Sequence, residues 1–143
     1  MDNRVDHLSE AARIRRGVVR LNRRLRQERG DGAFSPNQLI VLGHLHRNGS
    51  ATPGEVAAAE RQRPQSLTRA FAELEAEGLI EREPSAVDRR QSVLTLTAAG
   101  RRALDRDMAE RDVWLAGALA SLSETERGVL ELAGALMERL ADG

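Results

Sequence analysis

Two clusters of hydrogen-bonding side chains dominate the chemistry this chain can offer. Arg61, Arg63, Gln65, Ser66, Thr68 and Arg69 surround Pro64, and Asp88-Arg89-Arg90 follows further along. An arginine can fork onto the O6 and N7 acceptors of guanine, a glutamine can match adenine, and serine or threonine hydroxyls can bind phosphate. This is recognition chemistry rather than bond-making chemistry. The residues that catalysis would need are missing or badly spaced. His44 and His46 lie two apart in a helical pattern and cannot face one ligand together. There is no cysteine, which excludes disulfides, thiolate metal sites and a thiol redox switch. Gly49, Gly54 and Gly78 are isolated turn glycines, not a phosphate-binding loop, and no nucleophile-elbow motif occurs. No enzyme, cofactor or metal site is expected.

Charge limits how the two clusters can work. All 22 basic residues are arginine and they balance 22 acids, so the net charge is zero. Residues 1–30 hold nine Arg against four acids, and residues 103–143 hold four Arg against nine. The stretch 61–90 is itself balanced, with six of each. A positive footprint must therefore be local. Glu73, Glu75 and Glu77 are expected to point away from any polyanion that meets the segment around Pro64.

Positioning the clusters requires a scaffold, and the pattern is that of one mostly helical domain over 1–143. Hydrophobic residues make up 41% of the chain and aromatics only 2%, a balance suited to helix-on-helix packing. No apolar run reaches the roughly 20 residues a bilayer span needs and no signal-peptide core precedes the fold, so a cytoplasmic protein without membrane contact is expected.

Ile14, Val18, Leu21 and Leu25 mark an amphipathic helix from about Leu8 to Gln27, stopped by Gly30-Asp31-Gly32. Ser35-Pro36-Asn37-Gln38 is a capping box with proline at the first helical position, opening a helix through Leu39, Ile40, Leu42 and Leu45 that ends at Asn48-Gly49. Thr52-Pro53-Gly54-Glu55 repeats the signal before a short helix, broken by Arg61-Gln62-Arg63. Pro64 then starts a helix to about Glu77, stopped by Gly78, with Leu67, Phe71 and Leu74 as its buried stripe. Leu79 to Glu83 and Ser92 to Leu96 read as a hairpin around Asp88-Arg89-Arg90. Thr97 caps a long helix from about Ala98 to Leu119. Ser123-Glu124-Thr125-Glu126 opens a last one through Val129, Leu132, Leu136 and Leu140.

Helix, short helix, third helix and two-stranded ribbon over 35–97 is the plan of a winged helix-turn-helix. In such a unit the third helix enters the major groove of double-stranded DNA by its N-terminal turns, and the ribbon reaches the adjacent minor groove or backbone. The stripe Leu67/Phe71/Leu74 leaves Gln65, Ser66, Thr68 and Arg69 on other faces, where they can read bases. The fold class is therefore mostly α with a small β-hairpin wing (α+β). Helices flank the unit on both sides, at 5–29 and 98–141, with more apolar stripe than one small core requires. They could bury it in a homodimer.

The sequence resembles the MarR-type transcription factors. The likeness lies in Ser66-Leu67-Thr68-Arg69, then Leu74-Glu75-Ala76-Glu77-Gly78-Leu79-Ile80-Glu81-Arg82, then Asp88-Arg89-Arg90, then Leu94-Thr95-Leu96-Thr97-Ala98-Ala99-Gly100. It implies a homodimer on a roughly palindromic site, acting as a regulator, most simply a repressor. It also implies a wing arginine in the minor groove, with Arg90 toward DNA and Asp88 with Arg89 shaping the wing, the division between the two arginines being open. It further implies release by a small aromatic or anionic effector, for which Arg15, His44 and Trp114 are candidate lining residues by helix placement. A winged-helix adaptor working through protein contacts is the alternative. Gly100, just inside a long helix, costs about 1 kcal/mol relative to alanine, which close packing of the wing base against that helix would offset.

Overall fold

The computed structural model describes residues 3–28 and 32–143, with side chains from residue 7 onward. Gly30 and Asp31, the expected stop of the first helix, lie outside the described residues, as does Arg29 at the end of the 5–29 segment. Among the described residues six helices and one hairpin follow in order: α1 (Asn3–Gln27), α2 (Pro36–Asn48), α3 (Pro53–Ala59), α4 (Pro64–Ala76), β1 (Ile80–Pro84), β2 (Ser92–Leu96), α5 (Ala98–Leu119) and α6 (Glu124–Asp142). No helix among the described residues is long and apolar enough to cross a membrane.

Capping chemistry sets most boundaries. The Ser35 hydroxyl accepts from the Gln38 N–H while the Gln38 side chain accepts from the Ser35 N–H, closing the capping box of α2. The same reciprocal pair forms between Ser123 and Glu126 at α6. At α3 the Thr52 hydroxyl accepts from the Glu55 N–H, and proline occupies the first turn. Each such cap satisfies helix-end amides that have no intrahelical partner. α1 begins five residues before Leu8, because the residues ahead of it include no glycine or proline to break the helix.

The chain divides into two compact units, Met1–Arg29 with Glu110–Gly143, and Gly30–Ala109. The second has the core. Val41, Leu42 and Leu45 of α2, Val56 and Ala57 of α3, and Leu67, Ala70, Phe71 and Leu74 of α4 are buried together with Ile80, Leu94 and Leu104. A fully buried leucine such as Leu67 contributes about 1.5–3 kcal/mol by leaving water. That burial fixes the rotation of α4 about its axis. Leu104 and Asp107 are buried here too, so the first turns of α5 belong with this unit.

β1 and β2 pair antiparallel, with Ile80 opposite Leu96, Arg82 opposite Leu94 and Pro84 opposite Ser92. The first strand sits one residue later than the apolar run suggests, because Leu79 is used to end α4: its N–H donates to the Leu74 carbonyl while Gly78 adopts φ 70°. Sequence reading missed a third partner. Ala51 forms an antiparallel bridge with Leu94, both backbone N–H groups donating across it, and ties the start of α3 to the hairpin.

At the hairpin base the Thr97 hydroxyl donates to the Gly78 carbonyl and accepts from the Gly100 N–H, so one side chain joins the end of α4 to the start of α5. The unit made of Met1–Arg29 and Glu110–Gly143 is different in kind. None of its described residues is buried, and α6 exposes Val129, Leu132, Leu136 and Leu140 along one stripe.

Candidate nucleic-acid interface

The N-terminal end of α4 is built to be exposed. Arg63 occupies the N-cap position in extended conformation without making a side-chain cap, and Pro64 fills the first turn, where its missing N–H costs nothing. With Leu67, Ala70, Phe71 and Leu74 locked inward, Gln65, Ser66, Thr68 and Arg69 all lie on the exposed side. The Thr68 hydroxyl spends its proton on the Pro64 carbonyl, which leaves it an acceptor toward any ligand. The Ser66 carbonyl accepts from the Asn37 side-chain amide, pinning the first turn of α4 to the start of α2.

Arg69 is held. Its Nε donates to Glu73 Oε1 at 2.6 Å, and Gln38 Nε2 donates to Glu73 Oε2 at 2.9 Å. An open cleft lined by Ser35, Asn37, Arg69, Ala70 and Glu73 runs along this contact. One helical turn places Glu73, half-buried, beside Arg69, as spacing of four residues requires. Glu75 instead pairs with Arg82 Nε of β1 at 3.3 Å. Asn37, Gln38 and Glu73 are residues that sequence reading did not assign to the site.

The turn between α3 and α4 carries the one left-handed non-glycine residue among the described residues, Arg61 at φ 52°. Its N–H donates to the Ala58 carbonyl and that of Gln62 to the Ala57 carbonyl, the paired bonds of a helix C-terminus that usually recruits glycine at this position. Glu60, the preceding residue, accepts from Arg47 at 2.9 Å and lies 3.2 Å from His44 Nδ1, so the turn is tied to α2. The guanidinium groups of Arg61 and Arg63 form no ion pair among the described residues.

At the wing, the Ser85 N–H donates to the Gln91 carbonyl and the Gln91 N–H to the Asp88 carbonyl, so Arg89 and Arg90 form the corner of a tight turn. Asp88 Oδ1 accepts from the backbone N–H of Arg90 at 3.0 Å, and the Ser85 hydroxyl accepts from the N–H groups of Val87 and Asp88. The aspartate thus shapes the turn through backbone rather than through a guanidinium. Asp88, Arg89 and Arg90 are exposed and make no ion pair among the described residues.

The three residues named for an effector are dispersed in role. His44 is buried in the unit Gly30–Ala109 beside Glu60, the Arg24 guanidinium lies over the Trp114 ring at 5.2 Å, and Arg15 is exposed. Among the described residues no group of three or more His, Asp or Glu is placed to hold a metal ion.

The chain is similar to known regulators of transcription over most of its length. Residues 34–91, from the start of α2 through the wing turn, match a sequence model described as the MarR family. An uncharacterised HTH-type transcriptional regulator of Mycobacterium bovis is 38% identical over 125 residues, 87% of each chain. A crystal structure of a transcriptional regulator protein from Pseudomonas aeruginosa shares 41% identity with a TM-score of 0.78, covering 96% of both chains. The transcriptional repressor MdtR of Bacillus subtilis is 34% identical over 92 residues, 64% of this chain and 59% of that one.

Proposed function

The chain belongs to the MarR family of winged-helix DNA-binding transcriptional regulators, which are not enzymes, and from that premise we propose that it acts as a homodimeric repressor on a roughly palindromic operator. One observation carries the reading. On α4 the polar side chains Gln65, Ser66, Thr68 and Arg69 face outward because the opposite side is locked in the core. In the proposed complex these residues meet base edges in the major groove, Arg61 and Arg63 neutralise flanking phosphates, and the wing turn carries Arg90 to the minor groove with Arg89 and Asp88 fixing its shape.

The proposed division of labour assigns 35–97 to DNA and 5–29 with 98–141 to dimerisation. The uncovered stripe of α6 supports it: Leu132 is 62% and Leu140 78% exposed in the single chain, and apolar surface of this kind is normally buried against a partner. Repression is favoured by the similarity to MdtR. Release by a small aromatic or anionic effector is carried by family resemblance alone, and would require that the effector bind the two states of the dimer with different affinity.

The test is selection of duplexes from a random-sequence DNA pool, followed by titration of the selected duplex and sedimentation of the free protein. A palindromic consensus, affinity that falls steeply with salt, and a dimer in solution are expected. Failure to enrich any sequence would overturn the reading.

A further inference from the structure

We infer that Glu73, held in place by Gln38, is a positioning residue that presents Arg69 to DNA and converts its charge into sequence discrimination. The inference rests on the proposed reading of α4 as the base-contacting helix. A balanced charge count makes a carboxylate at the reading face conspicuous, since it repels phosphate. Its ion pair with Arg69 is too exposed to matter much for stability, the arginine side chain being 90% exposed. The pair does something else.

An arginine with that exposure samples many rotamers, and ordering it on DNA costs binding free energy. Glu73 removes part of that cost beforehand, because it engages Nε and leaves the two terminal nitrogens of the guanidinium to fork onto paired acceptors. Glu73 is itself fixed. Its second oxygen accepts from Gln38 Nε2, and the Gln38 carbonyl oxygen is already taken by the Ser35 N–H. The chain of bonds thus runs from the capping box of α2 to Arg69 in the middle of α4. The carboxylate also screens the guanidinium from isolated phosphates, so nonspecific attraction falls while a two-acceptor guanine edge still competes.

The experiment measures affinity for a duplex selected by the wild-type protein and for a scrambled duplex of the same composition. The variants are Arg69→Ala, Glu73→Ala, the double variant, and Gln38→Glu, which keeps an acceptor for the α2 capping box but loses the amide donor. Glu73→Ala is expected to narrow the ratio of the two affinities about two- to tenfold, with tighter binding to the scrambled duplex, and Gln38→Glu to narrow it as well. In the Arg69→Ala background the Glu73 change should have no further effect on the ratio. If Arg69→Ala narrows the ratio and Glu73→Ala does not, the positioning role is wrong while the reading of α4 stands. Equal narrowing in both backgrounds would show Glu73 acting without Arg69, which overturns the inference. An unchanged ratio with Gln38→Glu removes Gln38 from it. An unchanged ratio with Arg69→Ala overturns the reading of α4 itself.

Discussion

A β-carbon at Gly100 would overlap the backbone carbonyl oxygen of Leu79, with Leu96 Cδ1 only 2.8 Å away. The first turn of α5 is therefore pressed onto the base of the wing, and Thr97 bridges the same junction. Moving the backbone there is costly, because the Leu79 carbonyl also accepts from the Thr97 N–H. Gly100→Ala should destabilise the protein by roughly 1–3 kcal/mol, as other insertions into a packed core do. Thermal unfolding checks this; an unchanged Tm would mean that the junction is looser than described.

Arg61 sits in a left-handed conformation that an L side chain adopts at a cost of about 1 kcal/mol or more. Arg61→Gly relieves that strain, and some of the gain is offset by the greater freedom of glycine in the unfolded chain. The variant should be more stable in urea by about 0.5 kcal/mol or more. If the guanidinium binds phosphate, it should also bind DNA more weakly, with a salt slope smaller by about one. Stability and binding moving in opposite directions is the signature of a residue kept for its charge; both falling together would argue for a structural role.

The stripe Val129, Leu132, Leu136 and Leu140 on α6 is 41–78% exposed. Leu132→Asp should shift a dimer toward monomer in sedimentation and weaken operator binding, because the two winged units then act separately. The variant should keep the helical circular dichroism of the wild-type chain. A dimer as tight as the wild type would place the interface elsewhere.

Much of this architecture is legible in residue types because the signals are local. Capping boxes at Ser35 and Ser123, the prolines at 36, 53 and 64, and the apolar stripe of α4 each mark a boundary or a face within a few residues. What stays illegible is nonlocal or against type. Ala51 joins the hairpin through backbone bonds that its side chain does not advertise. Arg61 occupies a position where pattern reading looks for glycine. The Arg69–Glu73 spacing of four was visible, but the Gln38 bond to Glu73 spans 35 residues and depends on α2 crossing beside α4. In the wing, the residue types were plain and the bond that shapes the turn, from Asp88 to the backbone of Arg90, was not.

Glu126 holds its proton less readily than an ordinary glutamate near 4.5, first because the Ser123 backbone N–H donates to its carboxylate and then because of the Ser123 hydroxyl. A lowered folded value stabilises the fold above the unfolded pKa, and this contribution is lost as pH falls through the folded one. The capping box of α6 should loosen as pH drops below about 4.5. Comparing wild type with Glu126→Gln in thermal melts at pH 7 and pH 3 isolates the effect. The Tm difference between them should shrink at pH 3, and a constant difference would contradict it.

In the proposed complex α4 and the wing turn read DNA together. Titration of the selected duplex with Arg69→Ala and Arg90→Ala, alongside sedimentation of each variant, tests it most directly. Each substitution should cost on the order of 1–3 kcal/mol of binding free energy with the dimer intact. Wild-type affinity in both variants would contradict it.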